Sequence, residues 1–411
     1  MTLVEPLVVI IISIAFLIIL LYKRVNLGIA LSGAALFLAI LALDWTKIPI
    51  VIYETSVDSV TVSVVLATFS IMLLSQLYKE TGVINTLSES IGRLLNNPKA
   101  VLMILPAIIG LLPVSGGALM SAPLVESEAE KLKMKPEEKA YANLWFRHAI
   151  FPVYPLSPLI VTAALLTGVS LNLMIMRNIP VVLVMVLTGY IVAFRNTARQ
   201  EYQKSKAEAA CNRDRGSFLV SFSPILVTII ISIALELVGL KKSLSGFDLV
   251  LAIVIGLMIM IVISRPSFEV FRRPFKSWDI YGITLAAYGA FLLRNVMTEA
   301  GISTVFSSLV ANGNIDLMLF LAVVPAILGL LTGSPQGGVA VSVSIFSGVL
   351  ALPFAPEVAA LIYISAYLGY IIAPTHLCFT FTADYFKCFS ISRSALSAFM
   401  NIGTFSMPVA M

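Results

Sequence analysis

The chain has 411 residues, of which 59% are apolar and only 12% charged, and its mean hydropathy is +0.99. Values of this kind exclude an ordinary soluble domain and place the chain among membrane proteins. The net charge of +5 sits in short stretches between apolar runs, where a topological bias explains it better than nucleic-acid binding, so no nucleic-acid partner is expected.

Uncharged runs recur along the chain at 6 to 22, 25 to 43, 59 to 78, 100 to 125, 149 to 176, 178 to 194, 216 to 235, 249 to 264, 317 to 356 and 358 to 383. Most are long enough to cross a hydrocarbon layer of roughly 30 Å as helix. Unbroken apolar runs, as opposed to alternating ones, favour helices over a barrel. The first run leads directly into Lys23 and Arg24 and then a second run, so it reads as a retained helix, with no cleaved signal peptide. Membrane lipid is therefore the expected surroundings, and the three cysteines, Cys211, Cys378 and Cys388, show no metal-ligand spacing or disulfide framework. No cofactor and no metal are expected beyond a coupling ion, Na⁺ or H⁺.

The predicted layout is an all-α polytopic protein with ten transmembrane helices and two re-entrant hairpins, in two repeats of inverted topology. Residues 1–194 form the first repeat, with three helices, a hairpin over 98–130, a broken helix over 140–171 and a helix over 174–194. A polar linker spans 195–215. Residues 216–411 form the second repeat, with a hairpin over 316–350, a broken helix over 356–386 and a last helix over 393–410. With both termini outside the cytoplasmic membrane, all of the 27 Lys and Arg fall on the inner side except Lys47, Arg177, Lys241, Lys242 and the intramembrane Arg294.

The repeat is read from self-similarity at one offset. LATFSIMLLSQLYKETGV from Leu66 matches LAAYGAFLLRNVMTEAGI from Leu285, and PAIIGLLPVS from Pro106 matches PAILGLLTGS from Pro325, both 219 residues apart. The same offset sets Ser115 on Ser334, Pro155 on Pro374 and Glu80 on Glu299. Five crossings per half put the second copy in the membrane upside down, the arrangement that alternating access uses.

The hairpin turns are read at Pro113 to Gly117 and at Thr332 to Gly338, roughly 20 Å along a helix and so near the bilayer midplane. Pro and paired Gly free backbone groups that lipid cannot satisfy, so such tips belong inside protein or a watery cavity. The returning half-helices present N–H groups that suit a carboxylate. The following helices are interrupted by Pro152, Pro155 and Pro158 in one half and by Pro374 in the other. Pro113, Pro155, Pro158, Pro335 and Pro374 are thus the expected breaks, with packing kinks as the alternative reading. Four breaks in register across a duplication point to a transport site.

The candidate ligand-binding residues follow: Ser115, Gly116 and Gly117 at the first tip, Ser334, Gln336, Gly337 and Gly338 at the second, Ser157 at one helix break, and Thr375 and His376 at the other. Ser115 and Ser334 are the places for Na⁺ or a substrate hydrogen bond, with turn capping as the alternative. His376 is read as an anion ligand, a proton relay or a helix cap. Arg294 and Asn295 are placed on a neighbouring crossing, Arg294 either binding an anion or snorkelling to the surface. Asn143, Arg147 and His148, at the cytoplasmic start of a broken helix, and Gln76 are weaker candidates. No carboxylate falls at midmembrane depth, which favours an anionic solute over a cation.

On these stretches the chain resembles the ion-transporter superfamily of gluconate, citrate and divalent-anion symporters. It looks most like the family catalogued as domain of unknown function 401, in length, in ten-helix layout and in the two GLLxxS stretches at Gly110 and Gly329. Ser-Gly-Gly and Ser-Pro-Gln stand where the divalent-anion symporters carry Ser-Asn-Thr tips. The resemblance implies a scaffold formed by the first helices of each half, a moving domain carrying the hairpins, homodimers and elevator-like motion. The expected function is a non-enzymatic secondary transporter of a small anionic solute coupled to Na⁺ or H⁺. Alternatives are a cation/proton antiporter, a carrier of lipid-linked phosphates, and an intramembrane serine hydrolase pairing Ser115 with His376.

Overall fold

A computed structural model of the chain describes residues 6–95, 97–112, 117–195, 197, 208–237, 247–301, 316–373 and 376–388. The expected tip residues Pro113, Ser115 and Gly116, the break residues Pro374 and Thr375, and the last helix over 393–410 lie outside the described residues.

The described residues are helical throughout and contain no strand. The helices are α1 (Pro6–Tyr22), α2 (Leu27–Ala42), α3 (Lys47–Val57), α4 (Ser59–Glu80), α5 (Val83–Leu94), α6 (Pro98–Gly110), α7 (Gly117–Lys131), α8 (Pro136–Ala149), α9 (Pro158–Thr167) and α10 (Leu171–Phe194). There follow α11 (Glu208–Leu237), α12 (Phe247–Ser264), α13 (Phe268–Arg272), α14 (Trp278–Glu299), α15 (Leu317–Thr332), α16 (Pro335–Phe346), α17 (Pro356–Ile371) and α18 (Leu377–Tyr385). Among the described residues, six helical stretches are long and apolar enough to cross a membrane, one of them the interrupted stretch Pro136–Thr167. The protein is a multi-pass α-helical membrane protein.

Local chemistry sets the ends of these elements. Asp58 opens α4 by accepting from the Thr61 amide at 2.8 Å, and Asp316 opens α15 by accepting from the Leu319 amide at 2.8 Å. Gly82, Gly168 and Gly333 sit in the left-handed region at helix ends, where a side chain would be strained. α5 buries Ile84, Leu87 and Ile91 on one face and packs that face against α11. The polar segment 195–215 is shorter as a linker than the sequence suggests, because α11 already begins at Glu208. α3 and α5 are additional short helices that the run-length reading leaves as connections.

The helices fall in step across the chain. α4 and α14 each have 22 residues, and their first residues, Ser59 and Trp278, stand at the offset found in the sequence. α6 and α15 likewise begin at Pro98 and Leu317, and α9 and α18 at Pro158 and Leu377. α6 packs against α7, and α15 packs against α16 across the left-handed Gly333.

Small residues allow the closest crossings. A Cβ on Gly110 would meet the Arg147 carbonyl, 2.6 Å away, and one on Gly329 would collide with the Ala366 carbonyl, the equivalent pair in the other half. α2 and α14 meet in the same way, where a Cβ on Gly28 would stand 2.5 Å from the Gly282 carbonyl. Ion pairs join helix ends that the charge distribution assigns to one side: Lys47 with Glu299 at 2.6 Å, Arg177 with Glu357 at 2.6 Å, and Arg273 with Glu80 at 3.7 Å. The hydrogen bond and charge of Glu299 hold the Lys47 ammonium above its ordinary pKa.

Gly329→Val should lower the melting temperature of the purified protein by the equivalent of about 1–3 kcal/mol, since the backbone of α17 has to shift to admit the side chain. Gly92→Ala, where a Cβ meets nothing within 4 Å on exposed α5, should be neutral or stabilising by up to about 1 kcal/mol. Equal melting of the two variants would show that the α15–α17 crossing is not close.

Candidate functional site

The polar centre forms around the end of α8, where the helix stops short of a proline-rich break. After Ala149 the backbone passes through a single 3-10 turn, Phe151–Val153, and α9 restarts at Pro158 with its proline in the first turn. The interruption leaves carbonyls without helical partners, and neighbouring helices supply them. Asn178 of α10, fully buried, donates from Nδ2 to the Pro152 carbonyl at 2.9 Å. The Tyr367 hydroxyl of α17 donates to the His148 carbonyl at 2.6 Å. Trp145 anchors α8 to α10 by donating from Nε1 to the Met185 carbonyl at 2.7 Å, over Gly189, which leaves room for the indole.

The α8 terminus carries Arg147 and His148, and both are buried, at 2% and 1% exposure. Charge bias, which counts Arg147 with the other basic residues of its side, does not anticipate this burial. The guanidinium lies against Gly117 at the start of α7, where a Cβ would collide with it. Its Nε and Nη1 are buried and have no hydrogen-bond partner, and no carboxylate among the described residues pairs with it. The return arm of the hairpin is tied to α8 one turn further back: Asn143 donates to the Ala118 carbonyl at 2.9 Å and accepts from the Ser121 hydroxyl at 2.6 Å.

His148 faces His376 from the other half of the chain, with the two Nε2 atoms 3.1 Å apart. His376 stands at the N-cap position of α18 without a side-chain cap bond, is 1% exposed, and lies against Tyr370 with ring centroids 4.1 Å apart. Cys378, two residues on, brings its sulfur to the same place: one ligand atom from each of His148, His376 and Cys378 falls within 4.8 Å of the others.

The remaining candidates divide by location. Gly117 belongs to the centre through Arg147. Ser157 is 1% exposed at the α9 break, with its hydroxyl unpartnered. Its repeat counterpart at the matching helix cap is His376. Ser334 caps α16, its Oγ accepting from the Gly337 amide at 3.3 Å, which is the capping alternative. Pro335 takes the first turn of α16, as Pro158 does in α9. Gln336 is buried and donates from Nε2 to Thr162 Oγ1 of α9 at 3.2 Å, joining the second hairpin to the first broken helix. Gly338 serves packing, since a Cβ there would stand 2.8 Å from the Gly329 nitrogen. Pro155 is half-buried within the break.

Arg294 and Asn295 belong elsewhere. Arg294 donates to the Leu166 carbonyl at 3.4 Å and to Asn295 Oδ1 at 3.3 Å, and stacks over Phe291 at 4.9 Å. Asn295 donates to Thr55 Oγ1 at 2.9 Å. Their contacts tie α14 to α3 and to the C-terminal end of α9, where a cation suits the exposed carbonyls. None of these contacts reaches the histidine pair.

The arrangement as a whole is a buried, uncompensated cation beside two imidazoles and a helix break, on a multi-pass framework. Residues 5–403 match the family described as protein of unknown function (DUF401). The chain belongs to this family. No curated protein matches it. For a member of this family, the residues hardest to find by sequence were Asn178, Tyr367 and Cys378, whose partners lie on distant helices. His148 and Arg147 carried one usable signal, an Arg-His pair ending four residues before the proline cluster that begins at Pro152.

Asn143→Ala should destabilise the protein by about 1–3 kcal/mol, because it removes two buried hydrogen bonds, Nδ2 to the Ala118 carbonyl and the Ser121 hydroxyl to Oδ1. Thermal unfolding in detergent reads this, and an unchanged midpoint would show that α7 is held to α8 by packing alone.

Proposed function

We propose that the protein is a secondary active transporter that moves a small anionic organic solute across the cytoplasmic membrane. The observation that carries this reading is Arg147, a guanidinium 2% exposed inside a helical membrane protein, with Nε and Nη1 unpartnered and no carboxylate beside it among the described residues. Holding such a charge away from water is costly unless something compensates it. A solute carboxylate or other planar oxyanion that meets the guanidinium supplies the missing acceptors, with bidentate geometry available.

Other features support the same reading. The cation lies at the start of the return arm of a helical hairpin and at the end of an interrupted helix, elements that in transporters cluster around the substrate. The in-step helices of the two halves fit inverted repeats that exchange outward and inward arrangements, and elevator-like motion of the hairpins is the form this takes in the ion-transporter superfamily. Termini on the outer side and a homodimer complete the proposal, with Na⁺ or H⁺ as coupling ion. Ser334 retains a place near the second hairpin turn through its backbone and cap, and Ser115 is the matching position in the first.

The test is a thermal-shift screen of the purified protein against organic anions with and without Na⁺, because a ligand that binds only the folded state raises the melting temperature by mass action. Mono- and dicarboxylates are expected to stabilise the protein, and Arg147→Gln is expected to weaken that stabilisation at least tenfold in apparent affinity. Uptake of the stabilising anion into proteoliposomes should be lost in the same variant. If the variant keeps full anion stabilisation and uptake, Arg147 is not the solute's partner.

A further inference from the structure

Both imidazoles of the polar centre have their Nδ1 atoms committed. His148 Nδ1 lies 2.7 Å from the Leu144 carbonyl oxygen, and His376 Nδ1 lies 3.3 Å from that of Ile371. A carbonyl oxygen only accepts, so in each bond Nδ1 carries the hydrogen, and each neutral ring presents Nε2 as a bare lone pair. With the hydrogens on Nδ1, the two Nε2 atoms face one another as acceptors 3.1 Å apart. Two acceptors at that distance call for a positive centre that both can bind.

The rings also meet edge-on, at 89°, with centroids 4.7 Å apart, closer than a head-on N–H···N bridge would hold them. A bent approach of this kind suits two ligands of one ion better than one linear shared proton. The third donor is soft: Cys378 Sγ completes a set whose ligand atoms all lie within 4.8 Å of one another. Carbonyl-anchored imidazoles are the usual outer support of metal-binding histidines, since the Nδ1–H bond fixes the tautomer that frees Nε2.

We propose that His148 Nε2, His376 Nε2 and Cys378 Sγ bind one thiophilic transition-metal ion, of the Cu⁺ or Zn²⁺ kind. Binding releases the thiol proton to solvent, and two metal–nitrogen bonds and one metal–sulfur bond form with no change of oxidation state. Arg147, next to His148 at the end of α8 and likewise buried, is a second positive charge at this helix end, so the thiolate is needed to offset the ion. Cu⁺ with one thiolate leaves no residual charge, whereas Zn²⁺ leaves one unit, and the site should hold Cu⁺ more tightly. The pseudosymmetric positions are Tyr367, Ser157 and Leu159, so the ligand set occurs once and is no by-product of the duplication. The ion would clip α8 of the first half to α18 of the second.

The full chain, purified in detergent and stripped with chelator, is titrated with Zn²⁺, with Co²⁺ as its spectroscopic stand-in, and with Cu⁺ under reducing conditions. Expected are one ion per chain, a thiolate-to-Co²⁺ charge-transfer band, and at least tenfold weaker binding in Cys378→Ser and His376→Gln, with Cys388→Ser unchanged. Metal should also protect Cys378 of the unaltered protein from maleimide, read by mass spectrometry, which decides the matter should a variant fail to fold. Absence of stoichiometric binding by either ion, or Cys378 labelling that metal leaves unchanged, overturns the proposal. None of these readouts depends on transport, so a failure here leaves the anion reading of Arg147 standing, and the reverse.

Discussion

A helix that stops inside a membrane must hand its unpaired carbonyls to some other part of the protein, because lipid offers them nothing. The fold around α8 is organised by this requirement. The break at Ile150 to Ser157 is supported by Asn178 from α10, which satisfies the Pro152 carbonyl, and by Tyr367 from α17, which satisfies the carbonyl of His148. Each of these bonds joins the interruption to a continuous helix, so the position of the break is fixed by rigid neighbours. Arg147 and His148, the last polar residues before the break, inherit that fixed position.

Glycine at the crossings makes the second contribution. Gly110 and Gly329 let α6 and α15 approach the carbonyls of α8 and α17 more closely than any side chain permits, and Gly117 leaves the space in which the Arg147 guanidinium lies. Removing side chains at these points brings backbone, cation and imidazole into one compact region. A larger residue at any of them would enlarge the distances on which the polar centre depends.

Much of this plan was legible in the sequence because proline and glycine act locally. Pro152, Pro155 and Pro158 mark the α8–α9 break within a residue or two, and Gly333 marks the stop between α15 and α16. The constant offset between Pro106 and Pro325 is matched by helices of equal start and, for α4 and α14, equal length. What stayed hidden was which polar residues meet. Arg147 follows a cluster of lysines and glutamates, so charge bias alone puts it with them at the membrane surface, whereas α8 carries it inward to a burial of 2% exposure. Arg294, the one arginine inside an apolar run, looked the better anion ligand, yet its guanidinium is taken up by Leu166 and Asn295. Partners drawn from helices more than two hundred residues apart, such as His148 and His376, leave no trace in local pattern.

The hydrogen bond from Gln336 to Thr162 has a mechanical meaning. It connects the first turn of α16 to α9, the segment restarted after the break, so it acts as a latch between parts more than 170 residues apart in the chain. A displacement of either part by a single helical turn, about 5.4 Å, exceeds what one hydrogen bond can span. The two parts must therefore travel together or part company at this latch, giving up the amide–hydroxyl bond along with the apolar packing around it.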